Sequence, residues 1–407
     1  MYLTALDLGS SQIKILVAET GKDNKLSLLD ILKFPSSGVR KGEIVEVQDA
    51  AQALAKAFNE IKKNDKSVLK NIFININGKN INMQSSRGIV AVSRADNEIY
   101  QDDIERAIRA SQAVNLSSNR RIIHTLIQEY IVDGAEQVQS PIGMSGTRLE
   151  VNSLIVDAFV PIINDLTRSV EMAGGKIIEM VYNPIAASEA VLTKTHKELG
   201  VVLVDIGFGT TSMAVFEENQ LISTRVFPIG SSNITNDLAI ALKSSIQTAE
   251  KIKLEFGHAL AKEVSLKDKI TLSEIDSTLK AVVSKKYIAE VVEVRLAEIF
   301  ELVHNELKVL GKTQLPAGAV LTGGGAKISG IVDLAKQELR LPAHLAQVET
   351  EIFDATSKDL SSRLEDSELA CALGLLNYGS AQYLEGGGGW SSGKKEIFSK
   401  ILRNLMP

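Results

Sequence analysis

The sequence predicts an α/β protein of two related β/α halves around one nucleotide-binding cleft, and three glycine-rich turns lead to that prediction. The first turn, Asp7 to Ser11, follows the apolar run 3–6, and the second, Asp205 to Thr211, follows the apolar run 201–204. Both have the order strand, Asp, hydroxyl-rich turn and second strand. The third turn, Thr322 to Ala326, also follows an apolar run but has almost no side chains, which suits close passage of a flat base or sugar.

A two-sided phosphate clamp requires these residue types. Glycines let backbone N–H groups approach phosphate oxygens, hydroxyls add donors, and an acceptor-only Asp orients water around a divalent cation. One Asp-x-Gly turn alone is also typical of an ordinary hairpin, but three such turns at strand ends favour one nucleotide site. Neither of the first two turns is a Walker loop or a GxGxxG that opens a helix, which argues against P-loop and Rossmann sites.

Composition limits the class of protein. At 407 residues, 44% hydrophobic and 23% charged, the chain is long enough to form more than one domain. A net charge of -5 provides no basic field, so we expect no nucleic-acid partner. The lone Cys371 rules out an internal disulfide and is most simply a small packed residue in a reducing compartment. Without a signal sequence or an apolar run of roughly 20 residues, we expect a cytoplasmic protein with at most peripheral membrane contact.

Periodicity predicts the elements in chain order. Residues 1–83 and 160–200 are predicted to form the first half, and residues 84–159 an inserted small α/β subdomain, because a helix there lies among several strand-like runs. The predicted elements after the first strands are a helix over 49–62, strands over 88–92, 122–132 and 149–159 with a helix over 102–113 between the first two, a helix over 162–173, a strand over 176–181 and a helix over 185–192.

The second half is predicted over residues 201–230 and 311–384, with its own small subdomain over 231–310. That subdomain opens with one long helical segment, because apolar residues recur at spacings of three and four between Leu238 and Phe256. The chain then returns for the third glycine turn and for helices over 328–339 and 368–378.

The C-terminus predicts a tethered membrane helix. Residues 385–393 are a Gly/Ser-type flexible linker, and residues 394–407 form an amphipathic helix with an apolar stripe and basic flanks, which suits an anionic membrane surface. The alternative is a helix docked on the protein's own core, and the polyglycine linker argues against it. The predicted membrane-binding residues are Trp390, Lys394, Lys395, Ile397, Phe398, Lys400, Ile401, Leu402, Arg403 and Leu405.

This pattern resembles the actin-like ATPase superfamily and, within it, the FtsA family of bacterial division proteins. The three turns carry the superfamily resemblance; the insert, the tail and segments 128–134, 141–146, 183–188 and 249–253 add to it, so that it covers nearly the whole chain. The resemblance implies an actin-like fold in which the insert replaces actin's small second domain. It also implies ATP and Mg as cofactors, a location at the cytoplasmic face of the membrane at the division site, and as partners FtsZ, further copies of the chain, anionic lipids and other division proteins.

The resemblance assigns roles to the turn residues. Asp7 and Asp205 would hold Mg through water, although each is also a suitable turn cap. The implied phosphate-binding residues are Gly9, Ser10, Ser11, Lys14, Gly207, Gly209, Thr210 and Thr211, and the implied ribose- and base-binding residues are Glu250, Lys253, Gly323, Gly324 and Gly325. The alternatives are ordinary turn residues, a solvated strand face at Lys14 and a surface ion pair between Glu250 and Lys253. Phe208 departs from the glycine usual at its position and is expected to restrict the second turn.

Asn183 is the informative departure from the superfamily. In hydrolytic relatives such as MreB and the large chaperones, a Glu typically precedes this Pro and positions the attacking water. An amide cannot act as a base, although it can orient water by hydrogen bonding. The sequence therefore predicts avid ATP binding with slow or negligible hydrolysis, so at most a weak ATPase.

The resulting hypothesis is a membrane-tethered, ATP-binding actin-like polymer that anchors the FtsZ ring, with a structural role for ATP. Two alternatives share the fold. A PilM-like adaptor of pilus assembly is not expected to carry the tethered basic tail, and a small-molecule kinase is disfavoured because no substrate-pocket Asp motif is evident. A chaperone would need a further substrate domain after the ATPase.

Overall fold

The computed structural model describes residues 1–21, 25–62, 65–138, 140–348, 353–355 and 357–385, with the backbone alone at 136–137 and 382–385. The predicted linker beyond Glu385 and the predicted membrane helix over 394–407 therefore lie outside the described residues. Within the described ranges, no helix combines the length and the apolar character needed to cross a bilayer.

Runs of strands and runs of helices follow one another along the chain. The strands are β1 Tyr2–Leu8, β2 Gln12–Thr20, β3 Leu26–Pro35, β4 Val39–Arg40, β5 Glu43–Ile44, β6 Ile72–Ile76, β7 Ile81–Ala91, β8 Arg120–Val132, β9 Ala135–Val138, β10 Arg148–Phe159, β11 Ile177–Tyr182, β12 Val201–Ile206, β13 Thr211–Glu217, β14 Gln220–Phe227, β15 Lys269–Thr271, β16 Val282–Ser284, β17 Ala319–Thr322, β18 Ala343–Leu345 and β19 Phe353–Ala355. The α-helices are α1 Val47–Ile61, α2 Gln101–Ser111, α3 Val160–Met172, α4 Asn183–Val191, α5 Lys194–Leu199, α6 Ser231–Leu242, α7 Ile246–Phe256, α8 Lys285–Val309, α9 Ile331–Leu339, α10 Lys358–Leu364 and α11 Ala370–Glu385.

Two mixed sheets with the same central connectivity form the two halves. The first has the order β11-β6-β1-β2-β3-β19 and the second β14-β13-β12-β17-β18. In each, a central strand pairs antiparallel with the next strand and parallel with a later one: β1 with β2 and β6, and β12 with β13 and β17. The central strands are buried almost throughout, as strands covered on both faces require. The predicted class, α/β with two related halves, is confirmed.

A third, fully antiparallel sheet with the order β7-β10-β8-β9 lies between β6 and α3 in the chain. Helix α2 packs closely on it, because a Cβ at Gly88 would lie 2.0 Å from the carbonyl oxygen of Ala107. The predicted strand over 88–92 is too short: β7 begins at Ile81 and pairs with β10 along its whole length. The first part of β7 is polar and half-exposed, so this part is a strand because it pairs with β10 and not because it carries an apolar pattern.

The single long helix predicted after residue 230 is wrong, because the chain forms two helices there. Lys243 ends α6 in the left-handed region at φ 50°, and the N–H of Ser244 donates to the carbonyl of Ala239. Ser245 then caps α7, its side chain accepting from the N–H of Thr248. Apolar spacing continues across the break because both helices pack on the same core, so periodicity alone could not reveal it.

Helices α4 and α11 lie between the two sheets, and their first residues form the base of the cleft, which is called the floor below. Nearly every residue of α4 is buried. The two helices approach so closely that a Cβ on Gly374 of α11 would lie 1.6 Å from the carbonyl oxygen of Ala186 in α4. This contact fixes the first residues of both helices, Asn183 and Ala370, beside the glycine turns.

Candidate nucleotide-binding site

The first two glycine turns have the same backbone geometry. The Gly9 N–H donates to the carbonyl of Gln12 at 3.0 Å, and the Gly207 N–H donates to the carbonyl of Thr210 at 2.9 Å. A Cβ would lie 2.8 Å from the oxygen of Gln12 at Gly9 and 3.0 Å from that of Thr210 at Gly207. A side chain at either position would crowd the corresponding backbone oxygen, more severely at Gly9 than at Gly207, as expected of two related halves.

The two turns face each other across the narrow end of the cleft. A Cβ on Gly209 would lie 2.9 Å from the Oγ of Ser10, and Asn77 Nδ2 donates to Thr210 Oγ1 at 3.3 Å. Ser10 Oγ also accepts from the Gly42 N–H at 3.0 Å, which attaches the short β4–β5 hairpin to the first turn. Backbone and hydroxyl donors from both halves thus converge at one place.

A cavity of about 440 Å³ opens between these turns, within the roughly 300–1,000 Å³ typical of small-molecule sites. The structure brings together at it the predicted residues Asp7, Gly9, Ser10, Ser11, Lys14, Asn183, Asp205, Gly207, Gly209, Thr210, Glu250, Lys253, Gly323, Gly324 and Gly325. Thr211 is the exception. It is fully buried at the start of β13, does not line the cavity, and its Oγ1 has no hydrogen-bond partner among the described residues.

The third turn needs its glycines because it crosses the end of β12. Gly323 has φ 85°, and a Cβ there would lie 2.3 Å from Asp205 Oδ1. A Cβ on Gly325 would lie 2.4 Å from Ile206 Cγ2, and one on Gly324 would lie 3.0 Å from Glu368 Oε1. The steric demand therefore comes from the second turn and from the segment before α11, as well as from any flat ligand in the cavity.

Lys14 lies inside the cleft and not on a solvated strand face. Its side chain is 16% exposed, and its Nζ lies 2.9 Å from Asp7 Oδ2. Burial opposes the charge, but the adjacent Asp7 carboxylate outweighs it and holds the pKa of Lys14 above its ordinary value. The ammonium group of Lys14 therefore stays charged at neutral pH.

A chain of hydrogen bonds crosses the floor of the cleft from one Asp to the other. Asn75 Nδ2 donates to Asp7 Oδ1 at 2.8 Å and to Asn183 Oδ1 at 3.2 Å, and Asn183 Nδ2 donates to Asp205 Oδ2 at 2.8 Å. The thiol of Cys371 also donates to Asn183 Oδ1, at 2.8 Å. Burial raises the pKa of Asp205, with the Asn183 donor opposing it, and burial raises the pKa of Cys371, which keeps the thiol protonated.

The opposite wall contains the residues predicted to hold ribose and base. Lys253 Nζ lies 2.8 Å from Glu250 Oε2 and donates to Thr235 Oγ1 at 3.0 Å and to the carbonyl of Ser231 at 3.3 Å. Only 4% of Lys253 is exposed, so this pair is not a surface ion pair. Phe208 covers the ammonium group with its ring centroid 5.6 Å away. Burial lowers the pKa of Lys253, and Glu250 opposes that shift.

The donor set fits a nucleotide phosphate chain and a hard cation. Two carboxylates, Asp7 and Asp205, reach the same floor, and no group of three or more His, Cys, Asp or Glu suited to direct metal ligation occurs in the described part of the chain. Mg²⁺ prefers to keep several waters and to share phosphate oxygens. The residues are thus compatible with a cation held through water and phosphate rather than by a protein cage.

Sequence reasoning missed several residues that line the cavity. Asn75 is the last but one residue of β6, which lies beside β1, and Asn77 directly follows that strand, so their place at the carboxyl end of a parallel strand was a usable signal. Lys327 and Glu368 also line the cavity and lie 3.3 Å apart in an ion-paired cluster. Cys371, interpreted as a packed core residue, is buried but faces the floor.

Comparison with known proteins decides the family. The family model described as "Cell division protein FtsA" matches residues 202–374, and the "SHS2 domain inserted in FTSA" model matches residues 78–157. The cell division protein FtsA of Bacillus subtilis is 37% identical over 83% of this chain and 76% of its own length. The chain belongs to the FtsA family. The FtsA of Pseudomonas aeruginosa is 36% identical over 94% of this chain and 90% of its own length.

Solved structures show that the FtsA family fold seen here is actin-like. A PilM–PilN type IV pilus biogenesis complex matches with TM-score 0.66 at 16% identity, over 93% of this chain and 98% of the other. MreB5 of Spiroplasma citri bound to ADP matches with TM-score 0.56 at 15% identity, over 95% of this chain and 99% of the other. A MamK double helical filament matches with TM-score 0.53 at 11% identity, over 93% and 98%.

Proposed function

We propose that this FtsA-family chain is an ATP-binding, polymerising protein that tethers the FtsZ division ring to the cytoplasmic face of the membrane, with slow or negligible ATP hydrolysis. ATP binding is supported chiefly by the hydrogen-bond network at the base of the cleft. There Asn183 bonds both Asp205 and Asn75, beneath the two facing glycine turns. The division role follows from family membership. FtsZ, further copies of this chain, anionic lipids and other division proteins are the proposed partners.

Each residue of the cleft has a definite task in this proposal. Backbone N–H groups of the first two turns, with the hydroxyls of Ser10 and Thr210, donate to phosphate oxygens, and Lys14 supplies a fixed positive charge. Asp7 and Asp205 would hold Mg²⁺ through water, and the cation would neutralise phosphate charge. Glu250 and Lys253 contact the ribose and base in this proposal, and the three N–H donors of Lys253 are engaged by Glu250, Thr235 and Ser231.

The same geometry explains why hydrolysis should be slow. Efficient phosphoryl transfer to water requires a group that orients or deprotonates the nucleophile. Asn183 occupies the place at the start of α4 where hydrolytic relatives carry a carboxylate, and an amide takes no proton at neutral pH. ATP would therefore act mainly as a structural ligand that holds the two halves together.

Membrane attachment is proposed for residues 394–407, reached by the 385–393 linker. Burying five large apolar side chains yields on the order of 5–10 kcal/mol before the cost of ordering the helix, so one copy binds weakly. A polymer that presents many copies binds much more firmly through effective concentration. The MamK filament shares the fold, which supports assembly of actin-like subunits as part of this proposal.

The domain boundaries are proposed on the same basis. Residues 84–159 form the inserted subdomain, a span supported by the antiparallel sheet of β7 to β10 and by the match over 78–157, although β7 begins earlier, at Ile81. Residues 1–83 and 160–200 form the first half, residues 201–230 and 311–384 the second, and 231–310 the small subdomain of the second half, whose helices α6 to α8 share one hydrophobic core with β12, β13 and β17.

Co-sedimentation with anionic liposomes tests the anchor, with and without Mg-ATP and with Mg-ADP as a control. A variant lacking residues 394–407 is compared with one whose tail is scrambled to the same composition but without the apolar stripe. We expect pelleting that is enhanced by ATP and abolished in both variants, and recruitment of FtsZ to the liposomes only by the intact chain. Binding that is indifferent to the tail would refute the anchor and favour a soluble adaptor.

A further inference from the structure

We infer that Cys371 and Asn75 are positioning residues that fix the Asn183 amide with its oxygen fully occupied, and that this arrangement keeps ATP hydrolysis slow. The inference rests on the proposed function, in that ATP occupies the cleft. The hydrogen-bond donors that stop the Asn183 amide from orienting water are Asn75 Nδ2 and the Cys371 thiol.

The orientation of the Asn183 amide is fixed by chemistry at both ends of the floor network. The Leu8 backbone N–H can only donate, and it bonds Asn75 Oδ1 at 2.8 Å, so the Asn75 NH₂ must point the other way, towards Asp7 and Asn183. At the other end, the Asp205 carboxylate accepts, so it must face the NH₂ of Asn183. If either amide were reversed, two donors or two acceptors would face each other and the hydrogen bond between them would be lost.

The side-chain carbonyl oxygen of Asn183 consequently cannot readily accept a further hydrogen bond. A carbonyl oxygen accepts about two hydrogen bonds, and this one receives them from Asn75 Nδ2 at 3.2 Å and from the Cys371 thiol at 2.8 Å, which also lies within hydrogen-bonding reach of Asp7. To activate an attacking water, a side chain must accept the water's proton or hydrogen bond. The second N–H of the Asn183 amide can only donate to the water, which draws electron density away from the nucleophile.

The thiol is held in place by helix packing. Cys371 is in the first turn of α11, and α11 meets α4 at backbone distance through Gly374 and Ala186. Both Cys371 and Asn183 are buried, at 6% and 5% exposure, so most of each side chain is surrounded by protein. The restraint on Asn183 is therefore built into the contact between the two floor helices.

The test is a comparison of Cys371→Ala with Cys371→Ser in the full-length protein. The Ala variant removes the donor and frees one acceptor position on Asn183, and we expect single-turnover phosphate release to rise about fivefold, the equivalent of one hydrogen bond. The Ser variant keeps an O–H donor and is expected to match the wild type. Affinity for a fluorescent ATP analogue should be unchanged in both variants.

A second comparison separates positioning from general loosening of the floor. In an Asn183→Ala background, Cys371→Ala should have no further effect, because the thiol acts only through Asn183. Equal acceleration by Cys371→Ser, acceleration that persists without Asn183, or no acceleration by Cys371→Ala would each overturn the inference. Failure of the wild-type protein to bind the ATP analogue would instead refute the proposed function on which it rests.

Discussion

His124 makes the stability of this protein depend on pH through one buried imidazole. It lies in β8 of the inserted sheet, is 5% exposed, and its Nε2 accepts the Tyr182 backbone N–H at 2.9 Å. Tyr182 immediately precedes Asn183, so this bond joins the inserted sheet to the cleft floor. The ring of Tyr378 packs edge-on against the imidazole with centroids 6.1 Å apart. A protonated imidazole could not accept the Tyr182 N–H.

The size of the effect follows from the pKa shift. Burial lowers the pKa of His124 from 6.5 to about 4. Between these values the unfolded chain binds the proton and the folded protein does not, so the free energy of unfolding falls as pH decreases from 6.5 towards 4. At pH 5 the loss attributable to this group is about 2 kcal/mol relative to pH 7.5.

Urea denaturation at pH 7.5 and pH 5.0 measures this loss, with His124→Gln as the matched control. The Gln side chain can still present an acceptor to the Tyr182 N–H but does not titrate. Other groups, including His304 and His344, whose pKa values are lowered chiefly by burial, contribute equally to both proteins. The wild type should lose about 2 kcal/mol more than the variant between the two pH values. Equal losses would show that His124 is not held neutral by the fold.

Three further predictions concern the floor and the turns. Gly323→Ala should weaken nucleotide affinity by about tenfold or more in a fluorescence titration, because φ is 85° at this position and the added Cβ would lie 2.3 Å from Asp205 Oδ1, which forces the turn to move; unchanged affinity would refute this. Gly374→Ala should lower the free energy of unfolding by about 3 kcal/mol in urea, since its Cβ would lie 1.6 Å from the Ala186 oxygen; a neutral effect would contradict the packing. Asn183→Glu should accelerate phosphate release about tenfold or more at saturating Mg, and no gain would count against water positioning as the limit.

The elements that the sequence predicted well are those with a local chemical signature. Asp7 and Asp205 each end an apolar run and precede a glycine turn, and these few adjacent residues suffice to predict two related halves. The fold class and the family resemblance were confirmed. The helix after residue 230 was predicted wrongly because the break at Lys243 needs only one left-handed residue and a Ser cap, which leave the apolar spacing intact.

The floor network could not be predicted, because its members are joined only by tertiary structure. Asn75 and Cys371 reach Asn183 across 108 and 188 positions of the chain, respectively. Nothing in the sequence around Cys371 distinguishes a core thiol from a hydrogen-bond donor to the site. Only the meeting of α4 and α11, which Gly374 permits, gives that residue its place.

In the proposed arrangement, the fixed Asn183 amide and the structural role of ATP depend on each other. A ligand that binds the folded, closed protein at 100 times its Kd stabilises that form by about 2.7 kcal/mol, but only while it remains intact. Hydrolysis would weaken contacts made by Lys14 and the two turns, which bind the terminal phosphates in the proposed arrangement. By occupying the Asn183 oxygen, Cys371 and Asn75 would lengthen the period over which each subunit keeps one shape. A polymer that adheres through many weak tails needs that uniformity, because avidity is lost when geometry prevents simultaneous engagement.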